Sequence, residues 1–254
     1  QMCIRDRDYL VKVKEMPFPE AVSQLTGTPL RAYTAPKAPV MPKERRLLLP
    51  DVDSSCDAVK AYLEGRGIHP EIIDYCIEKK LLFQTSQYKN ALFVGYDRMG
   101  KPHYGALRST FSRFKSEATG SDKHYSFSIA ENPQADTVHL FEAAIDLLSY
   151  ATLEKYAGRD WKQEALLSLA GVFAPKRQGV VPVALSRFLE EHPQVTTLRL
   201  HLDNDEVGRA AAQGILDGLK GYTVLDEPPT RGKDVNEQLQ LQLGLMKKKE
   251  EWER

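Results

Sequence analysis

The stretch Leu198-Arg199-Leu200-His201-Leu202-Asp203-Asn204-Asp205-Glu206-Val207-Gly208 holds the strongest fold signal in this chain. Leu198, Leu200 and Leu202 alternate as on a strand with one buried face, and Asp203 and Asp205 follow before a helix predicted to start at Glu206. In open α/β sheets, ligands bind at that end of a strand. An Asp or Asn before a helix is also commonly an N-cap, and Asp205 reads equally as one. Gly208 has two readings as well. A glycine in the first helical turn is unfavourable by about 1 kcal/mol relative to alanine, which points to close approach of a backbone or phosphate. With Ala210, Ala211 and Ala212 it also suits close packing of the helix on a sheet.

Upstream, Val138-His139-Leu140-Phe141-Glu142 is a second apolar strand that leaves on an acid. Asp146 follows four residues later, one turn along the same helical face, so the two carboxylates are placed to converge. Taken alone, such a pair is most often a solvated helix face. Clustered carboxylates raise one another's pKa unless a cation lies between them, and an all-oxygen set suits Mg²⁺ or Mn²⁺. His201 alternates away from Leu200 and Leu202, and a core position is the plainer reading than metal ligation.

Around these two strands, strand and helix alternate. Strands are predicted over Thr137 to Phe141, Leu166 to Phe173, Thr196 to Leu202 and Tyr222 to Leu225, with helices over Ala143 to Tyr156, Pro182 to His192 and Glu206 to Lys220. Such alternation predicts an α/β fold, a parallel sheet flanked by helices. A small α+β domain is expected ahead of it, over residues 53–130, with the α/β domain over 134–245. The smaller domain reads as a helix capped at Ser54 or Ser55, a second helix after His69-Pro70, and strands over Ala91 to Tyr96 and Pro102 to Arg108. Five prolines in residues 28–52 predict an extended linker. Tyr9 to Gly27 reads as one or two short helices ending at a glycine, the tail of a module cut short. Residues 1–8 look like translated adapter read-through and are expected to be non-native.

The pair E-x-x-x-D after one strand and D-x-D-x-x-G after a later one, with one βα unit between, resembles the Toprim domain of primases, topoisomerases and some nucleases. Within that class the chain is most similar to bacterial primase-like proteins of plasmids and mobile elements. Gly232-Lys233-Asp234-Val235-Asn236 resembles the K-D-x-N ending of such domains. The segment from Tyr62 to Lys123 is similar to a domain of unknown function that precedes Toprim domains. The resemblance implies a Toprim-type, Rossmann-like sheet, with Glu142 as general acid or base and Asp203, Asp205 and Asp146 holding Mg²⁺ (or Mn²⁺) on a phosphate. Its implied ligands are single-stranded DNA and nucleotides, and its implied partner a helicase or relaxase of the same element. The family usually has glycine after the glutamate where this chain has Ala143, whose Cβ is expected to shift Glu142. The expected activity is primase-like nucleotidyl transfer; a Toprim nuclease and a non-catalytic recruitment module are the alternatives. No zinc is expected in this chain.

Composition bounds these readings. The chain has 254 residues, 42% hydrophobic and 28% charged, with 35 basic and 35 acidic side chains, so neither wholesale disorder nor a uniformly basic nucleic-acid binder is expected. Cys3, Cys56 and Cys76 form no C-x-x-C pair, which fits a reducing, cytoplasmic setting. No apolar run approaches the ~18 residues that span a bilayer, and no membrane partner is expected. Local charge gathers in residues 98–124, where Lys101, Arg108, Arg113, Lys115 and Lys123 interleave with Tyr104, Phe111 and Phe114. This pattern suits a single-strand track, although a solvated face reads equally from the same residues. Arg108 and Lys123 fall where the resembling family carries basic residues. Arg209, Lys233 and Asp234, beside the acidic motifs, are candidates for nucleotide binding. The Lys247-Lys248-Lys249 run is expected to be an exposed helix end.

Overall fold

The computed structural model describes residues 9–11, 14, 16–27, 46–172 and 179–246. It divides into two compact units, Gln1–Glu44 and Arg45–Arg254. In the first, residues 9–11 are helical and Phe18–Thr26 forms helix α1, followed by Gly27 at φ +67°, the glycine stop expected there. Residues 1–8, most of the predicted linker, Phe173 and the Lys247 to Lys249 run lie outside the described residues.

The second unit opens with a helical hairpin, α2 (Asp57–Gly65) and α3 (Pro70–Glu78). The N-cap of α2 is Cys56, and neither Ser54 nor Ser55 holds that position. Ser55 Oγ accepts from the Asp57 N–H at 3.1 Å, which uses its hydroxyl in a local turn one residue too early to cap. Pro70 starts α3, and His69 Nδ1 caps it by accepting from the Glu71 N–H at 3.2 Å. An antiparallel sheet follows in the order β1 (Leu82–Gln84), β2 (Ala91–Tyr96), β3 (Pro102–Arg108), β4 (Lys115–Glu117). β2 and β3 have the predicted bounds. β1 and β4 are too short for an alternation to show in the sequence.

A five-stranded sheet follows, in the order β5-β7-β6-β8-β9. Its elements are β5 (Ser128–Ile129), β6 (Thr137–Phe141), α4 (Ala144–Tyr156), β7 (Ala165–Ser168), α5 (Val183–Glu191), β8 (Thr197–Leu200), α6 (Glu206–Gly218), β9 (Thr223–Asp226) and α7 (Val235–Gln242). β7, β6, β8 and β9 run parallel, as the alternation predicts, and β5 adds antiparallel to β7. β7 stops at Ser168, short of the predicted Phe173, because Ala170 (φ +56°) and Gly171 (φ +82°) turn the chain out of the ladder.

Every residue of β6 is buried. Val138 and Leu140 face one layer, where Leu198, Leu200 and Leu202 pack against Ala184, Leu185 and Phe188 of α5 and Ala211 and Ile215 of α6. Phe141 faces the other, where Ile145 and Leu148 of α4 and Leu239 of α7 share one core with Val59, Leu63, Ile72 and Ile73 of the helical hairpin. Burying each such side chain contributes roughly 1.5–3 kcal/mol. That shared core fixes the small antiparallel sheet relative to the ends of the parallel strands. Among the described residues no helix is long and apolar enough to cross a membrane.

Candidate active site

The chain leaves β6 through α4 to reach β7 on one side, then returns through α5 to β8 on the other. Strand order therefore reverses between β6 and β8, and an open α/β sheet binds ligands in the crevice at such a point. Glu142 is the first residue after β6, and Asp203 lies just beyond β8. The two meet: Glu142 Oε1 accepts from the Asp203 N–H at 3.2 Å.

Gly208 makes that meeting possible. A Cβ there would stand 2.1 Å from the Asp203 carbonyl oxygen and 2.9 Å from Glu142 Oε1. Of its two sequence readings, close approach of a backbone holds, and the backbone is the chain's own. Asp205 is the N-cap of α6, with Oδ1 accepting from the Gly208 N–H at 2.9 Å. Its Oδ2 is free to face elsewhere, and the Lys233 ammonium lies 3.0 Å from it and 3.2 Å from Asp203 Oδ2.

Burial and the negative charge of Asp203 push the Glu142 carboxyl up to about 7. Burial also raises Asp203, with Asp234 adding to the effect and Lys233 opposing it. Asp205 shifts the other way, because the Gly208 N–H and Lys233 favour its charged form. Asp146 is wholly buried behind Glu142 and raised well above the usual carboxylate range, first by burial and then by Asp234 and Asp203. Its Oδ1 accepts from the Asn236 N–H at 3.3 Å.

Asn236 carries more of the site than its place in the K-D-x-N ending signals. Its Nδ2 donates to Ser149 Oγ at 2.9 Å and to the Arg66 carbonyl at 3.1 Å, tying α7 to α4 and to the end of α2. Asp234 caps α7 through the Glu237 N–H at 2.7 Å, and Glu237 Oε2 accepts from the Lys233 N–H at 2.7 Å. The D-x-x-E spacing of this capping box was readable in the sequence.

A cavity of about 460 Å³ opens over these residues. Glu142, Asp146, Asp203, Lys233 and Asp234 line one wall; Tyr104, Arg108, Lys115 and Glu117 of β3 and β4 line the other. Of the predicted nucleic-acid residues, Arg108 thus faces the acids. Lys123 is held at the edge by Glu117 at 3.0 Å and the Ala170 carbonyl at 2.9 Å. Lys101 is exposed in the β2–β3 turn, away from the cavity lining. Arg209 braces the loop before α6: it donates to the Leu202 and Asp203 carbonyls at 2.9 and 3.3 Å and pairs with Asp226 at 2.7 Å.

Ala143 has φ −135° and ψ 161°, extended backbone open to any residue, so no glycine is needed after Glu142. His201 is a core residue. Its Nε2 lies 2.8 Å from His139 Nδ1, its Nδ1 lies 3.0 Å from the Glu227 carbonyl, and its ring stacks on Phe141.

Residues 139–239 match the family described as Toprim-like. The chain carries a Toprim-like domain. Residues 61–133, immediately before that domain, match a protein family of unknown function, DUF3991. An uncharacterized protein of Bacillus anthracis, pXO2-78, is 30% identical over 172 residues, which cover 64% of this chain and 48% of the relative. The chain thus spans about half the length of that curated relative. Among solved structures, the DnaG catalytic core is similar at a TM-score of 0.50 and 13% identity, over 74% of this chain and 70% of that one. The primase fragment of the bacteriophage T7 primase-helicase protein has a TM-score of 0.48 and 16% identity, over 71% and 68%. At such identities the likeness concerns the fold, a Toprim-like sheet preceded by a smaller α+β half. Glu142, Asp146, Asp203, Lys233 and Asp234 all fall inside the Toprim-like domain.

Proposed function

We propose that the Toprim-like domain carries out a divalent-metal-dependent reaction at a phosphate of nucleic acid, primase-like nucleotidyl transfer, in the cleft between Glu142 and Arg108. The observation that carries this reading is the pairing of Glu142 with Asp203 at the strand-order reversal, facing a wall of unneutralised cations. Oxygen donors alone line the acidic side, a set suited to Mg²⁺ or Mn²⁺. Among the described residues no three acidic, histidine or cysteine side chains close around one point. Between Asp203 and Asp205 the neutralising charge is the Lys233 ammonium.

Asp203 and Asp205 are the residues that would hold the cation, with Asp146 behind them. Bound there, it would withdraw charge from a phosphate oxygen. Glu142 supplies the proton chemistry. With its carboxyl near 7, Glu142 takes a proton from an attacking hydroxyl and returns one to a leaving oxygen at neutral pH. Its Oε1 is occupied by the Asp203 N–H, which leaves Oε2 for that transfer. Arg108 and Lys115 would hold the strand against the acids. Single-stranded DNA and nucleotides are the ligands this reading requires, with a helicase or relaxase as the macromolecular partner.

The test pairs titration of Mg²⁺ and Mn²⁺ with nucleotide incorporation on single-stranded DNA. Wild type is expected to bind metal and extend, Glu142→Gln to bind metal without extending, and Asp203→Asn with Asp205→Asn to do neither. Incorporation by Glu142→Gln at the wild-type rate would remove the assignment. Metal-dependent shortening of a labelled strand, without incorporation, would replace transfer with hydrolysis by the same acids.

A further inference from the structure

The β3–β4 wall of the cleft runs on into a second groove of about 570 Å³, whose lining includes Tyr62 and Arg66 of α2 and Arg108, Phe111, Arg113 and Lys115 of the β3–β4 hairpin. Arg108 and Lys115 line both spaces, so the groove opens onto the acids.

Its charge is unbalanced. Arg108 and Lys115 are partners across the β3–β4 ladder, and like charges directly opposite each other destabilise a sheet. The acid nearest along β4, Glu117, is engaged by Lys123 at 3.0 Å. Among the described residues none of Arg66, Arg108, Arg113 and Lys115 has an acidic partner, while Arg159, Arg187 and Arg209 each do. Arg66 Nε is also the one buried side-chain polar atom among the described residues without a hydrogen bond. Its guanidinium reaches only the Tyr62 hydroxyl, at 3.5 Å.

The hairpin tip is fixed and aromatic. Ser109 Oγ accepts from the N–H groups of Phe111 and Ser112 at 3.2 and 3.1 Å, and Thr110 Oγ1 donates to the Lys89 carbonyl at 3.0 Å. On that rigid loop Phe111 is 79% exposed. Cations without partners beside an exposed ring held in place match a strand whose phosphates need neutralising and whose unpaired bases can stack.

We propose that this groove is a binding site for single-stranded nucleic acid, with Arg66, Arg108, Arg113 and Lys115 on successive phosphates and Phe111 under a base. It rests on the proposed function only for what happens once the strand reaches Glu142. Strand binding itself needs neither the acids nor a metal. The Arg66 carbonyl, held by Asn236, fixes the groove wall to the α7 end of the acid site.

The experiment is fluorescence anisotropy of a labelled single-stranded DNA with the full chain in EDTA, over a series of salt concentrations. Arg66→Gln with Arg113→Gln is expected to weaken binding about tenfold or more and to flatten the salt slope by roughly 1.4, at about 0.7 per phosphate contact. Phe111→Ala is expected to weaken it about tenfold with the slope unchanged. Arg113→Gln alone, at an exposed position, guards against a folding defect and is expected to flatten the slope by about half as much. Wild-type affinity in the double variant would overturn the site. Duplex DNA bound as tightly as single strand, with Phe111→Ala silent, would overturn the single-strand assignment. Groove variants that weaken strand binding while wild type shows no metal-dependent reaction would sink the proposed reaction and leave the groove standing. Wild-type binding in those variants alongside normal incorporation would sink the groove alone.

Discussion

Gly208 lies so close to Asp203 that a Cβ at position 208 would stand 2.1 Å from the Asp203 carbonyl oxygen. No side-chain rotation relieves an overlap with backbone. Gly208→Ala is therefore expected to destabilise the fold by about 1–3 kcal/mol, the usual range for overpacking, and to move Glu142 off the Asp203 N–H. Urea unfolding of the variant measures the first, and the pH dependence of activity the second. Wild-type stability in Gly208→Ala would show that the loop before α6 yields freely.

Lys233 neutralises two aspartates that a bound cation would also neutralise. The side chain is half exposed, so Lys233→Ala is expected to lower stability in EDTA by at most about 1 kcal/mol. The same variant should bind Mg²⁺ more tightly, because the ammonium no longer competes, and Mg²⁺ should restore its melting temperature. Isothermal titration decides; weaker Mg²⁺ binding in Lys233→Ala would mean that the lysine shapes the metal site instead of competing for it.

The buried pair His139 and His201 makes stability depend on acid. Burial and the neighbouring His139 push His201 down to about 3, and burial lowers His139 despite its contact with Glu164. In the unfolded chain both protonate near 6.5. A depressed folded pKa stabilises above the unfolded value, and that stability is lost as pH falls from about 6.5 toward 3. The slope is at most about 1.4 kcal/mol per pH unit for each histidine. His201→Gln is expected to be less stable than wild type at pH 7, with the gap narrowing at pH 5 (roughly a unit and a half below the histidine value). An equal gap at both values, in urea unfolding, would show that His201 is protonated within the fold.

Much of the larger sheet was legible because its strands are buried on both faces and its helices are long enough to repeat a pattern. β6 occupies the predicted Thr137–Phe141, and α6 starts at the predicted Glu206. The ends of β7 and the cap of α2 were not legible, since each depends on where a hydrogen bond goes: to Ser55 Oγ before α2, and out of the ladder at Ala170 and Gly171. Gly208 was readable as an anomaly, a glycine in a first helical turn, while the Asp203 carbonyl that requires it was not.

The sequence by itself determined which residue types stand at the strand ends, because period-two burial and helix starts are local properties of the chain. It placed Glu142 after one strand, Asp203 and Asp205 after another, and Lys233 and Asp234 before the last helix. The tertiary structure alone decided which of them meet. Lys233 falls between Asp203 and Asp205, Asn236 reaches the Arg66 carbonyl 170 positions away, and Arg108 stands across the cleft from Glu142. Those contacts follow from the strand order and from the core that both halves share, and each joins residues too far apart in sequence for any local pattern to record.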